Sequence, residues 1–586
     1  MTIFKYVLSF LLLLFLYHAV LAGSDGNWSL YGREYNNQRF SPLKQIHTDN
    51  VRDLKLAWRY KTGKVATFQT SPVVIDGVMY LTTPFNDVIA LDAVNGKEIW
   101  RYHHQLRSES FCCGPANRGP AVANGKVYTV TIDARLIALD QKNGKVLWDI
   151  EITDPDTGAG ETSESMLGVK ELKGAVQIGQ TGYTANLAPQ VYNGMVFVGI
   201  TGAGYGLHME MEENGEQILS VGGLSGGGHG LRGFLVAYDA DTGEEKWRWY
   251  TVPDSNWEGE WRETTLYGEH LNRDIAVEKK AFVKYRDTWR YGGGSVWTTP
   301  AIDPALGLIY IGTGNPSPQM DDSTRPGDNL FTVSLVALEL ETGKLRWYYQ
   351  QVPHDRWGYD VASPPVLFDY HRDGKTIKAV GQASKLGWFF IHDRVSGELL
   401  KRSEAFAPQE NMFARPDAAG VRIVPGTLGA SSWSPVAFYP ALNRVFISGI
   451  YQPSLFYSRK LTPVPGKPWE SYTFFRKSNE ENWGVFTAID TNSGKIAWQQ
   501  RTDLPLLGGA VATAGGLVFT GEGNGYFRAY DVKNGDKLWE YKSEYGVNAP
   551  PISYAINGKQ YIAVAAGGNS LFGYKTGDEV LVFSLE

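Results

Sequence analysis

Ala90-Leu91-Asp92-Ala93-Val94-Asn95-Gly96-Lys97-Glu98-Ile99-Trp100 sets a pattern that the chain repeats: Ala-x-Asp-x-x-x-Gly-x-x-x-Trp. It returns at Ala138, Asp140, Gly144 and Trp148, and at Ala237, Asp239, Gly243 and Trp247. Ala337, Glu339, Gly343 and Trp347 form a further copy, as do Ala488, Asp490, Gly494 and Trp498, and Ala529, Asp531, Gly535 and Trp539. A degenerate copy runs through Ile391, Asp393 and Gly397, with Lys401 where Trp is expected. Each copy reads as strand, tight turn, strand, because Asp-x-x-x-Gly is turn chemistry and Gly takes a positive φ freely. Hairpin repeats of this period mean a propeller or a solenoid, and four-stranded blades around an axis suit a propeller. The repeated Trp then packs one blade on the next.

Spacing predicts an all-β, eight-bladed β-propeller. Asp92 and Asp140 are 48 residues apart and Asp490 and Asp531 are 41 apart, whereas Asp140 and Asp239 are 99 apart, which leaves room for inserted loops. Two insertions are expected, at about 205–230 and 250–290. The tail Val580-Leu581-Val582-Phe583-Ser584-Leu585 reads as a bare strand. Paired with the segment around Leu56-Ala57-Trp58 it would close the ring with N- and C-terminal strands and leave no open sheet edge. Composition agrees: 66 Gly, 18 Trp, 32 Tyr and 26 Phe describe turns and pleated surfaces. A net charge of −6 gives no reason to expect nucleic acid as a partner.

The N-terminus reads as an export signal over residues 1–22, ahead of one propeller over 23–586. Lys5 supplies the positive start, Tyr6 to Tyr17 an apolar run, and Ala19-Val20-Leu21-Ala22 small residues before Gly23. No later stretch is apolar enough to span a bilayer, so a periplasmic protein without an integral span after cleavage is expected. The only cysteines, Cys112 and Cys113, are neighbours. Export favours their oxidation. Yet their Cα atoms are about 3.8 Å apart, below the usual disulfide range that begins near about 4.4 Å, and the bond would close almost no loop. Stability does not explain such a pair, whereas a rigid, flat, polarisable surface does. A c-type haem needs C-x-x-C-H, which this sequence lacks.

Function on a propeller sits in the loops around the axis. Four segments break the repeat: Ser110 to Gly119 with the Cys pair and Arg118; Gly202-Ala203-Gly204-Tyr205-Gly206; Gly292 to Trp297 followed by Gly312-Thr313-Gly314-Asn315-Pro316; and Pro353 to Asp360. Together with Trp28-Ser29-Leu30-Tyr31-Gly32-Arg33, Arg39-Phe40-Ser41-Pro42-Leu43 and Arg325-Pro326-Gly327-Asp328-Asn329, these resemble the quinoprotein alcohol dehydrogenases, the pyrroloquinoline quinone (PQQ) propellers related to methanol dehydrogenase. The resemblance covers nearly all of the mature chain. It implies PQQ on the axis, with a Cys112–Cys113 disulfide against one face and Trp297 against the other. It implies Arg118 on a cofactor carboxylate, Lys385 facing the quinone oxygen, and Thr201, Gly202, Ala203 and Gln69 in contact with the cofactor. Gln69 stands where the family has Glu.

The family's metal is held by Glu, Asn and Asp, a set suited to a hard cation. Here only the Asn is kept, as Asn315; the Glu position is Gly204 and the Asp position is Gly358. Asp360, two residues on, matches the extra Asp of lanthanide-type relatives, and is the candidate ligand and base for Ca²⁺ or a lanthanide. Glu210, Glu212 or Glu213 is a candidate replacement for the lost Glu. The function implied is oxidation of an alcohol or sugar hydroxyl to a carbonyl, with electrons leaving to an external carrier such as a cytochrome c or a quinone. Gly204 and Gly358 keep a second reading open: a propeller that binds a ligand or scaffolds a complex and oxidises nothing.

Overall fold

The computed structural model describes residues 26–106, 114–152, 183–201, 207–211, 217–221, 231–460 and 471–586. The repeat folds as its chemistry dictates. Asp92 Oδ1 accepts from the backbone N–H of Val94 (2.8 Å) and Asn95 (3.2 Å), and the Gly96 N–H donates to the Asp92 carbonyl at 2.8 Å. Gly96 takes φ +75°. It is glycine for a second reason too: a Cβ there would lie 2.5 Å from the ring of Trp58. The same contact recurs between Trp100 and Gly144, Trp247 and Gly343, Trp347 and Gly397, and Trp498 and Gly535, so each Trp lies on the turn glycine of the following sheet. Where the Trp is missing, the aliphatic stem of Lys401 covers Gly494. The indole N–H of Trp100 donates to Gln141 O at 3.0 Å, and Trp247, Trp347, Trp498 and Trp539 donate to carbonyls in the same way.

Nine sheets form among the described residues. Eight contain a four-stranded antiparallel meander, numbered here in chain order. Sheet 1 is Val73–Ile75, Val78–Thr82, Val88–Asp92 and Glu98–Tyr102; sheets 2 to 7 lie within 121–151, 190–250, 301–350, 366–402, 437–502 and 510–542. Sheet 8 joins the chain ends: Ile552–Ile556, Lys559–Ala566 and Gly577–Ser584 are completed by Lys55–Ala66, with Trp58 opposite Val582. The expected pairing of the tail with the Trp58 segment is therefore formed.

Apolar clusters link each sheet to the next. Buried residues of sheets 1 and 2 share one cluster, with Trp100 against Val127 and Leu139, and further clusters join 2 to 3, 3 to 4, 4 to 5, 5 to 6 and 6 to 7. The largest joins sheets 7, 8 and 1.

Three features were not legible as strands or helices. The excursion after Gly206 contains a hairpin, Leu207–Met211 and Gln217–Val221, rather than only irregular loop. It continues a sheet formed by Ser471–Lys477, Ser454–Lys460 and Val421–Ile423. The 250–290 insertion carries a helix, Ile275–Tyr285, capped by the Asp274 side chain. The N-terminal segment runs along the first strands of several sheets. Trp28 bridges Val74 of sheet 1, and the carbonyls of Tyr35, Asn36, Gln38 and Arg39 accept from Ile302, Leu367, Phe438 and Ala512, on the first strands of sheets 4 to 7. Arg39 is fully buried and donates to Ala510 O (3.1 Å), Pro551 O (2.6 Å) and Tyr31 O (2.5 Å).

Candidate active site

A proline precedes the first strand of seven of the eight meanders: Pro72, Pro120, Pro189, Pro300, Pro364, Pro435 and Pro551. It stiffens the entry and has no N–H to satisfy. Two to four residues ahead of it stand Gln69, Arg118, Asn186, Trp297, Asp360, Trp433 and Asn548. These equivalent positions at the entrances of the sheets include four of the residues picked from the sequence.

Arg118 is 5% exposed, and no acidic side chain among the described residues pairs with it. Its Nη1 donates to Asn186 Oδ1 at 2.6 Å and to Trp297 O at 3.3 Å, its Cζ lies 5.0 Å from the centre of the Trp297 ring, and its Nε has no partner. Burial pulls its pKa down to about 10. Asn186 also accepts from Thr201 Oγ1 at 2.8 Å, tying the predicted Thr201 to Arg118. Gln69 is buried on the approach to sheet 1. Cys112, Cys113, Gly202 and Ala203 lie outside the described residues, as do Gly204, Glu212, Glu213 and the expected signal over 1–22; Glu210 falls within the strand Leu207–Met211.

On the other side of Trp297, its indole N–H donates to Asp360 Oδ2 at 2.9 Å, and Asp360 Oδ1 is 2.5 Å from Lys385 Nζ. Lys385 also donates to the carbonyls of Gly358 (2.8 Å) and Thr427 (3.1 Å). Asn315 sits between these segments. Its carbonyl accepts from Gly294, Gly314 donates to Ser295 O, and Val361 donates to Thr313 O. Both its side-chain amide atoms are buried without a partner.

The loop 353–360 is held from within. The Asp355 carboxylate accepts the N–H groups of Trp357 (3.2 Å), Gly358 (3.1 Å) and Tyr359 (3.2 Å), while burial pushes its pKa up to about 6. Gly358 takes φ +88°, and a Cβ on it would fall 2.4 Å from Thr427 Oγ1 and 2.7 Å from Gln319 Nε2.

Residues 28–203, 222–412 and 399–562 match the family described as "PQQ: Glucose/ethanol/alcohol dehydrogenase, beta-propeller domain". The chain belongs to this family. It is similar to quinohemoprotein alcohol dehydrogenase ADH IIB of Pseudomonas putida, 34% identical over 96% of this chain and 78% of the relative. The quinohemoprotein alcohol dehydrogenase of Comamonas testosteroni is 33% identical over 94% of this chain and 74% of its own length. Among solved structures, ADHIIG of Pseudomonas putida HK5 superposes with a TM-score of 0.76 at 31% identity, covering 96% of this chain and 81% of that one. A europium-containing methanol dehydrogenase superposes at 0.75 with 26% identity, covering 97% and 100%. The protein is thus an all-β member of an enzymatic family of alcohol dehydrogenases.

The residues fit the family's cofactor. A buried guanidinium with no counter-ion among the described residues and an orphaned Nε, set against an indole face, suits a flat polycarboxylate. The described residues supply part of a hard cation's shell. Such an ion takes six to eight oxygens, carboxylates among them, and among the described residues no group of three His, Cys, Asp or Glu side chains is placed to hold one. Both expected ligands keep a buried oxygen without a hydrogen-bond partner, Asn315 Oδ1 and Asp360 Oδ1, the latter 2.5 Å from Lys385 Nζ, while Asp360 Oδ2 accepts from Trp297.

Sequence reasoning missed Asn186, Trp433 and Asn548. Trp433 lies 6.3 Å from Trp297, centre to centre. Asn548 is 1% exposed with both amide atoms unpaired. The recurring proline was the signal that marks all three.

Proposed function

We propose that this protein is an eight-bladed, periplasmic, PQQ-dependent dehydrogenase that oxidises an alcohol or sugar hydroxyl to a carbonyl. The unbroken succession of inter-sheet clusters, ending on the joined termini, supports eight blades in a closed ring over 23–586, after a signal at 1–22. The observation that carries the functional reading is Arg118: buried, without a carboxylate among the described residues, and stacked beside Trp297. An uncompensated interior charge is expensive unless a ligand neutralises it.

PQQ, when bound, supplies a two-electron acceptor. Following the family resemblance, Trp297 and the Cys112–Cys113 pair would flank it, Arg118 would hold a carboxylate, and Gln69, Thr201, Gly202 and Ala203 would contact its edge. Asp360 takes the proton of the substrate hydroxyl as the carbinol carbon gives up its hydrogen and the two electrons. Lys385 sets its ammonium against the negative charge that develops next to it. Electrons leave to an external carrier, a cytochrome c or a quinone.

The test is reconstitution of the purified protein with PQQ plus Ca²⁺ or a lanthanide, followed by alcohol-dependent reduction of an artificial dye. Retention of PQQ with turnover on an alcohol panel is expected; loss of PQQ on gel filtration with no turnover refutes the reading. Retention without turnover identifies the inert binding propeller instead, the reading that the glycine at 358 favours.

A further inference from the structure

The stretch Arg325-Pro326-Gly327-Asp328-Asn329 carries part of the family resemblance, yet none of its side chains is among the site residues described above. Arg325 nevertheless joins the two loops that hold Asn315 and Asp360. It is 1% exposed, and every nitrogen of its guanidinium is used. Nε donates to Pro318 O (2.7 Å) and Asp321 O (3.2 Å), Nη1 to Asn329 Oδ1 (2.8 Å), and Nη2 to Gln319 O (3.2 Å) and Asp355 O (2.6 Å). Pro318, Gln319 and Asp321 follow Asn315 in one loop, and Asp355 precedes Asp360 in the other. Beyond Asp360 the two loops are tied again, the Val361 N–H donating to Thr313 O at 3.0 Å. Between these ties the Asp355 carboxylate holds the N–H groups of Trp357, Gly358 and Tyr359. The remainder of the stretch reinforces the junction. His354 N–H donates to Asp328 O at 3.0 Å, His354 Nδ1 lies 2.6 Å from Gly327 O, and Asn329 Nδ2 donates back to Arg325 O at 2.9 Å. Gly327, at φ +99°, has no room for a Cβ, which would lie 2.5 Å from Glu258 Cα.

We infer that Arg325 is a positioning residue of this site, its planar fork setting the separation of Asn315 and Asp360. Its effect on turnover rests on the PQQ-dependent reading; the junction itself does not. Each of the two side chains keeps a buried Oδ1 without a hydrogen-bond partner, Asp360 Oδ1 being 2.5 Å from Lys385 Nζ. Two such oxygens act together on one cation or one hydroxyl only if their spacing is fixed. They stand on loops of different sheets. Asn315 follows the strand Leu308–Gly312 of sheet 4, and Asp360 leads into Val366–Arg372 of sheet 5. A guanidinium presents five N–H groups in one rigid plane, so it fixes carbonyls of both loops at once. An ammonium radiates three donors from a single point and cannot repeat that pattern. A displacement of about 1 Å in such a pair costs about 10²-fold in rate.

Two measurements test this. The first is amide hydrogen exchange of the wild-type protein without cofactor, read peptide by peptide. Segments 316–329 and 353–361 are expected to exchange as one cooperative unit with the same protection. Free exchange over 353–361 beside a protected 316–329 overturns the inference. In the second, Arg325→Lys is loaded with PQQ and Ca²⁺ and assayed at a temperature where its circular dichroism matches that of wild type. Retained PQQ, kcat lower by about 10–100-fold and KM for the alcohol within about threefold of wild type are expected. A folded Arg325→Lys protein with wild-type kcat, with altered KM alone, or with PQQ lost, refutes the positioning role. Where that variant does not fold, Asn329→Ala takes its place, since it removes one of the acceptors that aim Arg325. It is expected to lower kcat by about 3–10-fold at unchanged KM, and an unchanged kcat refutes the role equally. If wild type itself retains no PQQ, the PQQ-dependent reading falls, and the exchange measurement alone decides whether the junction exists.

Discussion

Replacing Arg118 by Met separates a residue that serves the fold from one that serves a ligand. Burial lowers the guanidinium pKa from 12.5 to about 10. At about 1.4 kcal/mol per unit, holding that charge inside costs the empty protein about 3 kcal/mol. The cost is constant at neutral pH, far below both values. Against it stand the hydrogen bond to Asn186 (2.6 Å), the weaker one to Trp297 O and the ring contact. A hydrogen bond to a charged group contributes about 1.5–3 kcal/mol, and the ring contact about 1 kcal/mol. These nearly cancel. Met fills much of the same volume and asks for no partner, so Arg118→Met is expected to leave the stability of the empty protein within about 1 kcal/mol of wild type. Removing one member of a buried ion pair would instead cost about 3–5 kcal/mol. PQQ affinity should fall by about 10–100-fold, the value of one charge-assisted hydrogen bond. Urea unfolding of the apo-protein gives the first quantity and fluorescence titration with PQQ the second. A variant destabilised as a broken ion pair would be, with PQQ affinity intact, refutes the argument.

Restoring the family's carboxylate by Gly358→Asp should not restore a metal site: the positive φ and the 2.4 Å approach to Thr427 predict a loss of about 2–5 kcal/mol, seen in urea melts, with no gain in Ca²⁺ affinity by calorimetry. Gly144→Ala forces a methyl to 2.5 Å from Trp100 and should cost about 2–4 kcal/mol. Gly125→Ala, at φ +74° with open space around it, should cost about 1–2 kcal/mol by the same assay. His392 is buried with its Nδ1 on Gly397 O and its Nε2 unpaired, and burial lowers its pKa to about 4. The unfolded chain binds this proton below about pH 6.5 and the folded one only near 4. Stability is therefore fully present above 6.5 and is lost as pH falls towards 4, and His392→Gln should flatten that slope in melts between pH 7 and 4.5.

The succession of sheets was readable because one short-range chemistry recurs. The Asp turn and the Gly–Trp contact act within a dozen residues and between consecutive repeats. Even the degenerate copy kept its logic, with Lys401 covering Gly494. The helix Ile275–Tyr285 was hidden because no residue in it is buried, so no strong apolar stripe marks it. The hairpin after Gly206 was hidden because its pairing partner, Ser471–Lys477, lies in another insertion far along the chain. In the site, Arg118, Trp297, Asp360 and Lys385 were each visible, but the Lys385–Asp360 pairing was not. It depends on Gly358 and Gly429 making room, and a glycine in the sequence does not say what it makes room for. Asn186 and Asn548 were missed because a single Asn carries no pattern; only the shared spacing to the following proline exposes them.

The strand Lys55–Ala66 completes sheet 8 by pairing with Gly577–Ser584, and Lys55 reaches Glu586, 531 positions away. Paired in register yet more than 500 residues apart in sequence, this strand is synthesised long before its partner. For that whole interval it is an unpaired edge, the kind of surface that recruits neighbouring chains. Its sequence is suited to waiting. Lys55, Arg59, Lys61 and Lys64 place a charge at nearly every turn of the pleat, all at least partly exposed in the completed sheet. Lys55, Arg59 and Lys61 meet Glu586 and Glu579 when sheet 8 is completed, while Lys64 pairs with Asp87 of the nearby sheet 1 segment. Completion of sheet 8 also removes the open edge of this strand.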